Sequence, residues 1–276
     1  MERHVAVVTD STSYLPTQWA VDNQITKVPV QVIVSGQAFR EGVDISTAEV
    51  ARALRDWLPV STSRPSPVDF VNAYEQAAAS GVDHIISAHL SAELSGTYQT
   101  ALLAAKDSPV PVTVIDSRTL AMGLGFACLT GAELAEAGAE AEEVAAAVTS
   151  RARRSNTYFY VDSLEYLKRG GRIGKASAAI GAALRVKPIL GVRDGRVELL
   201  EKARTPSKAL ARLLEADRTS AALLATPASA DDRAFGPAAE LPGAIGPWRV
   251  VGRLGAGGMG EVFEVVREHE RFVQRA

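Results

Sequence analysis

The sequence predicts an α/β protein: an N-terminal, mostly parallel sheet flanked by helices over 1–156, then a smaller mixed α/β domain over 157–276, with 267–276 a frayed tail. Three observations carry this expectation. Short β-branched runs alternate with longer alanine-rich runs at helical period, the pattern of a parallel sheet covered on both faces. Hydrophobic residues are 47% of the 276 and aromatics only 6%, a composition suited to close packing rather than disorder. Past Asn156 the texture changes to glycine turns and a hairpin signal.

Taken in order, "HVAVVTD" (4–10) and "KVPVQVIV" (27–34) read as strands. "STAEVARALRDW" (46–57) reads as a helix in which Ser46 caps and Glu49 completes a capping box. In "SPVDFVNAYEQAAAS" (66–80) Ser66 caps, Pro67 takes the first helical position, and Phe70, Tyr74 and Ala77 share a face. "DHIISAHL" (83–90) is a strand, "GTYQTALLAAKD" (96–107) a helix and "VPVTVID" (110–116) a strand, followed by helices over 121–135 and 140–155. In the second domain, "KPILGV" and "RVELLEKA" flank Asp194-Gly195, a two-residue inverse-turn signal. "PSKALARLLEA" reads as a helix, "AALLAT" (221–226) as a strand, and "WRVVG" (248–252) and "EVFEVV" (261–266) as closing strands.

Charge and composition exclude several classes. Thirty basic residues face 32 acidic ones for a net charge of −2, and no basic run or aromatic-basic platform points to nucleic acid. The single cysteine, Cys128, sits in the apolar run "GLGFACLTGAELA" and reads as a small core residue in a reducing compartment. No spacing of His, Cys, Asp and Glu marks a metal site, and no cofactor is expected. The opening apolar run, Val5 to Val8, is too short for a signal peptide. No segment reaches the roughly 18 apolar residues of a membrane span, so a cytoplasmic location is expected.

Gly255, Gly257 and Gly260 in "LGAGGMGEVFEVV" have the G-x-G-x-x-G spacing of a kinase glycine loop. The chain contains no H-R-D and no D-F-G, and "REHERFVQRA" has no lysine to pair with phosphates. Gly255, Gly257, Gly258 and Gly260 are therefore read as a structural turn feeding a buried closing strand.

Three hydroxyl clusters fall where strands are expected to end: "TDSTS" (9–13), "STSRPS" (61–66) and "SAELSGTYQT" (91–100). In parallel α/β folds the carboxyl ends of strands and the following helix starts form the binding crevice. Helix starts also offer unpaired amides to an anion. Ser95 and Gly96 directly precede such a helix, although Ser95 is equally the residue type of a plain N-cap, and Thr62 that of a turn hydroxyl. No G-x-S-x-G elbow is present, and none of His4, His84, His89 and His269 pairs with a convincing nucleophile. Asp10, Glu93 and His89 are the available bases. Two functions stay open at this point: binding of an anionic ligand, or an enzyme acting on a small anionic substrate in the interdomain crevice.

The segments "VAVVTDSTSYLP", "STSRPSP", "LSGTYQTA", "LEYLKRGGRIGK" and "VKPILGVRDGRVELLEKART" together resemble the DegV family of bacterial fatty-acid-binding proteins, over roughly 1–226. The resemblance implies a two-domain DegV-like fold, no catalysis, and a long-chain fatty acid such as palmitate held in an internal apolar tunnel, for lipid transport or fatty acid metabolism. It implies carboxylate binding by Thr62 and Ser95, with Ser63 and Gly96 as adjacent donors. It also implies a separate fatty-acid kinase that docks through Arg172 and Arg204. Alanine-rich "KASAAIGAAL" is a candidate to leave space for the tail. Arg64 stands where the family has glutamine, which alters the charge at the rim. The family's closing G-x-H-x-G-P-G segment, whose histidine helps hold the head group, is missing, because His269 lies beyond the glycines in a charged run.

Overall fold

The computed structural model describes residues 4–161, 164–173 and 186–213, together with strand backbone at 244–245, 248–257, 260–267 and 273–275. Contacts divide the chain into two units, Met1–Leu213 and Leu214–Ala276, so the boundary expected at 156 falls inside the first unit.

The first unit is built on four parallel strands: β1 (Val5–Asp10), β2 (Ile25–Val28) and two that follow later. Between them lie α1 (Thr17–Asp22), β3 (Gln31–Val34), β4 (Gln37–Arg40), α2 (Thr47–Arg55), β5 (Val60–Ser63) and α3 (Pro67–Ala79). Next come β6 (His84–His89), α4 (Thr97–Ala104), β7 (Val112–Asp116), α5 (Met122–Glu136) and α6 (Ala141–Arg154). The main sheet has the order β2-β1-β6-β7, with every pairing parallel.

Alternation along β1 explains the two layers. Val5 and Val7 join a core with Cys128, Ala132, Val144 and Val148 from α5 and α6. Ala6 and Val8 point the other way, into a core with Phe70 and Tyr74 of α3 and Ala101 of α4. A strand buried on both faces needs apolar residues at successive positions, which β1 supplies. The capping boxes of α2 and α3 are both present: Ser46 accepts from the Glu49 amide, and Ser66 accepts from that of Asp69. On the α5–α6 side the helices approach at Gly131, where a Cβ would lie 2.5 Å from Val148 Cγ2.

The run 27–34 is not one strand. Pro29 offers no N–H to a ladder, and the chain leaves the parallel sheet there. It then enters a separate antiparallel sheet of order β4-β3-β5.

The remainder of the first unit holds β8 (Thr157–Tyr160), α7 (Glu165–Arg169), β9 (Lys187–Arg193), β10 (Arg196–Ala203) and a helix over 206–213. Strands β10-β9-β8 form an antiparallel sheet. Both turn residues of the β9–β10 hairpin have positive φ, 48° at Asp194 and 80° at Gly195, as an inverse turn requires. The candidate tail-lining run 175–184 and the strand expected at 221–226 lie outside the described residues. No described helix is long and apolar enough to cross a membrane.

The second unit contains the sheet β11-β12-β13-β14, formed by Ala244–Ile245, Trp248–Gly257, Gly260–Arg267 and Val273–Arg275. The closing strands are thus longer than expected. Gly255 and Gly257 lie within β12, paired with Val262 and Gly260, rather than in a turn. Gly258, His269 and the expected burial of 261–266 lie outside the described residues.

Candidate functional site

Hydroxyl-bearing loops follow the carboxyl ends of β1 and β6, as parallel topology dictates. The third cluster differs from expectation: Ser61, Thr62 and Ser63 lie inside β5, where Thr62 pairs with Val32 and Ser63 with Gln31, and all three are exposed.

The side chain of Arg64, just past β5, reaches the start of α4. An ideal Cβ on Gly96 would lie 2.6 Å from a terminal guanidinium nitrogen of Arg64 and 3.1 Å from its Cδ. Ser95, half-buried, places its Oγ 2.8 Å from Thr97 Oγ1 and accepts from the Thr97 amide at 3.3 Å. Its hydroxyl therefore does serve the helix start, while Gly96 at the N-cap position has no side chain to offer. Ser63 and Gly96 are thus one and no residues away, respectively, from the Arg64 contact that joins the two segments.

The loop carrying Ser95 is tied down along its length. Asp10 Oδ2 accepts from the Leu90 amide at 3.0 Å. Ser91 Oγ donates to the Gly195 carbonyl at 2.7 Å, docking the tip of the β9–β10 hairpin. Glu93, one of the candidate bases, is ion-paired with Arg196 at 2.8 Å. Arg172 donates through Nε to the Leu94 carbonyl at 3.1 Å and through a terminal nitrogen to that of Gly170. Arg118 reaches the Asp194 carbonyl at 2.6 Å. Arg204 lies just past β10 and is exposed.

The sequence reading missed a buried polar chain beneath these loops. His89 Nδ1 lies 3.1 Å from Asp10 Oδ2, and its Nε2 lies 2.7 Å from Ser87 Oγ, which is 2.8 Å from Tyr74 Oη. All four side chains are fully buried. Asp10 Oδ1 also accepts from the amide and hydroxyl of Thr12, at 3.0 and 2.5 Å. With both carboxylate oxygens accepting, Nδ1 of His89 carries the proton and Nε2 accepts from Ser87, which accepts from Tyr74. His89 is therefore hydrogen-bonded to a serine, but one that is fully buried and also bonded to Tyr74. The signal was Ser87 and His89 two apart on one strand, so on one face, with Asp10 at the end of the neighbouring strand. Burial pushes the Tyr74 phenol up to about 12, opposed by its bond to Ser87.

On the opposite face of the sheet, burial pushes the Cys128 thiol up to about 12. Thr9 Oγ1 faces that thiol in a contact short of a full hydrogen bond, and Ser13 Oγ is likewise buried without a partner among the described residues. A shallow groove of about 500 Å³ opens between β7 and α6, lined by Thr113, Ile115, Ala145 and Arg153 among others. None of the hydroxyl loops contributes to it.

Comparison with known proteins covers most of this architecture. A family model described as "Uncharacterised protein, DegV family" matches residues 4–227. A DegV domain-containing protein of Streptomyces coelicolor is 53% identical over 224 residues, 80% of each chain. A Thermus thermophilus DegV family protein, described for its fatty acid binding, superposes with a TM-score of 0.72 at 40% identity, over 79% of this chain and 78% of that one. DegV of Bacillus subtilis, described as a fatty acid binding protein, superposes with a TM-score of 0.73 at 33% identity, over 80% of this chain and 79% of that one. With its motifs, its sheet order and these relatives in agreement, the chain belongs to the DegV family.

Proposed function

We propose that this chain binds a long-chain fatty acid such as palmitate, with the carboxylate held by Thr62 and Ser95 and by donors of Ser63 and Gly96. The observation that carries the reading is the Arg64–Gly96 contact, by which the residue just past β5 reaches the start of α4, next to Ser95. The fatty acid binding described for the Thermus and Bacillus proteins supports it. Burying a tail of about 14 methylenes releases roughly 11 kcal/mol gross, of which ordering costs take a large share. A carboxylate entering with that tail needs donors, because an unpaired buried charge is prohibitive.

Binding without chemistry fits the side chains at hand. Ser87, His89 and Asp10 stand in nucleophile–base–acid order, but every member is fully buried and Ser87 is also bonded to Tyr74. Glu93 is neutralised by Arg196. The chain acts as a cytoplasmic carrier in lipid transport or fatty acid metabolism, and a separate kinase docks on the side presenting Arg172 and Arg204.

The test is lipid extraction and native mass spectrometry of gently purified protein, which should reveal a bound aliphatic acid. Each hydrogen bond to the charged head group is worth about 1.5–3 kcal/mol, so a Thr62→Ala, Ser95→Ala double variant should retain far less of it with an unchanged circular-dichroism spectrum. Wild-type protein that neither carries nor takes up any fatty acid refutes the proposal.

A further inference from the structure

We propose that Arg64 is the specificity-determining residue of this site, the group that selects an ionised head group over a neutral one. The inference rests on the fatty-acid reading above and goes beyond it by naming what distinguishes the acid from an equally long alcohol.

The first observation concerns Gly96. Its backbone, at φ −75° and ψ 9°, lies where any residue is comfortable, so the chain path does not call for glycine. What glycine provides is space: a Cβ there would meet the guanidinium at 2.6 Å and the Arg64 stem at 3.1 Å. The Arg64 side chain thus lies across Gly96 at the start of α4.

The second observation is that the charge of Arg64 is uncompensated. The neighbouring cations are engaged: Arg172 with the Leu94 carbonyl, Arg196 with Glu93, Arg118 with the Asp194 carbonyl. No carboxylate among the described residues pairs with Arg64. A guanidinium stays charged at all working pH values and presents planar, paired donors matched to a carboxylate.

The third is that its backbone is held. Ser63 before it belongs to the β5 ladder, Pro65 after it is buried and restricts residue 64 to extended geometry, and Ser66 is locked in the α3 capping box. The arginine therefore projects from a fixed point, with its cation against Gly96 at the start of α4.

The experiment compares two ligands, palmitate and hexadecanol, competed against a fluorescent fatty acid on delipidated wild type, Arg64→Gln, Arg64→Lys and Gly96→Ala. Arg64→Gln should weaken palmitate about tenfold more than hexadecanol. Arg64→Lys should keep part of that preference, and Gly96→Ala should lose it by displacing a guanidinium still present. Raised salt should weaken palmitate in wild type more than in Arg64→Gln, because Arg64 is exposed and its charge is open to screening. If Arg64→Gln shifts both ligands equally, or neither, Arg64 is only a strut packed on Gly96 and the inference fails. Wild type that binds neither ligand overturns the fatty-acid reading itself.

Discussion

Asp10 ties the loops after β1 and β6 to the buried chain, and its replacement can be worked out bond by bond. Its two oxygens accept four hydrogen bonds, from His89 Nδ1, the Leu90 amide, and the amide and hydroxyl of Thr12. In Asp10→Asn one oxygen keeps the Thr12 pair, while the new NH₂ faces His89 and the Leu90 amide. His89 can adapt by moving its proton to Nε2, since Ser87 can accept as well as donate. The Leu90 amide cannot adapt, and one stranded buried donor costs about 1–3 kcal/mol. Asp10→Ala strands the Thr12 amide as well as that of Leu90, so at about 1–3 kcal/mol per buried donor the cost rises to roughly 2–6 kcal/mol. Urea unfolding followed by tryptophan fluorescence and circular dichroism measures both, with the shift read from the midpoint at unchanged slope. The expected order is wild type, Asp10→Asn, Asp10→Ala. An Asp10→Ala midpoint within about 0.5 kcal/mol of wild type would show that the buried chain does not hold these loops, and the reasoning would be refuted.

Four further outcomes follow from the packing. Gly131→Ala should lower stability by about 1–3 kcal/mol through overpacking against Val148, read as a lower thermal midpoint; an unchanged midpoint would mean that α5 and α6 separate freely. Native Cys128 should resist thiol reagents at pH 8 and react only on unfolding, because burial holds its pKa near 12; rapid native labelling would contradict its placement. That raised pKa also sets a sign: the stability contributed by the protonated thiol is complete below about pH 9 and is lost as pH climbs towards 12, a slope that Cys128→Ala should reduce in alkaline unfolding curves. Gly195→Ala should loosen the hairpin, since its φ of 80° disfavours a side chain and the new Cβ would overlap Ser91 Oγ; hydrogen exchange at Ser91–Ser95 should quicken, and unaltered protection would count against the docking.

The parallel sheet was legible because a strand buried on both faces has few acceptable sequences. Val5–Val8 could hardly be anything else, and the capping boxes at Ser46 and Ser66 marked their helices within a residue or two. The antiparallel β4-β3-β5 sheet was not legible as such, because "KVPVQVIV" looks continuous when only its apolar content is weighed. Two local signals mark the division. Pro29 removes a ladder donor, and Ser35-Gly36, with φ values of 50° and 87°, forms the two-residue inverse turn that folds β3 back onto β4. Local chemistry had encoded the break that hydrophobic pattern concealed.

The site was legible as a set of hydroxyl segments but not as an assembly, because its geometry depends on partners distant in the chain. Leu90 is held by Asp10 from the end of β1, Ser91 by the tip of a hairpin about a hundred residues later, and Leu94 by Arg172 past α7. Each tether is a side chain or carbonyl whose relevance no local pattern announces. Their joint effect falls on Ser95 and Gly96, the next residues along, which are presented at the start of α4 with little conformational freedom left to lose. On the proposed function, a head group would meet donors already ordered, which reduces the ordering cost set against the roughly 11 kcal/mol of tail burial. The buried chain from Asp10 to Tyr74 lies at the root of the same loop, through the Asp10 bond to the Leu90 amide. If Ser95 holds the head group as proposed, loosening Leu90 in Asp10→Asn should weaken fatty-acid affinity, and unchanged palmitate affinity in the folded variant would uncouple the buried chain from the site.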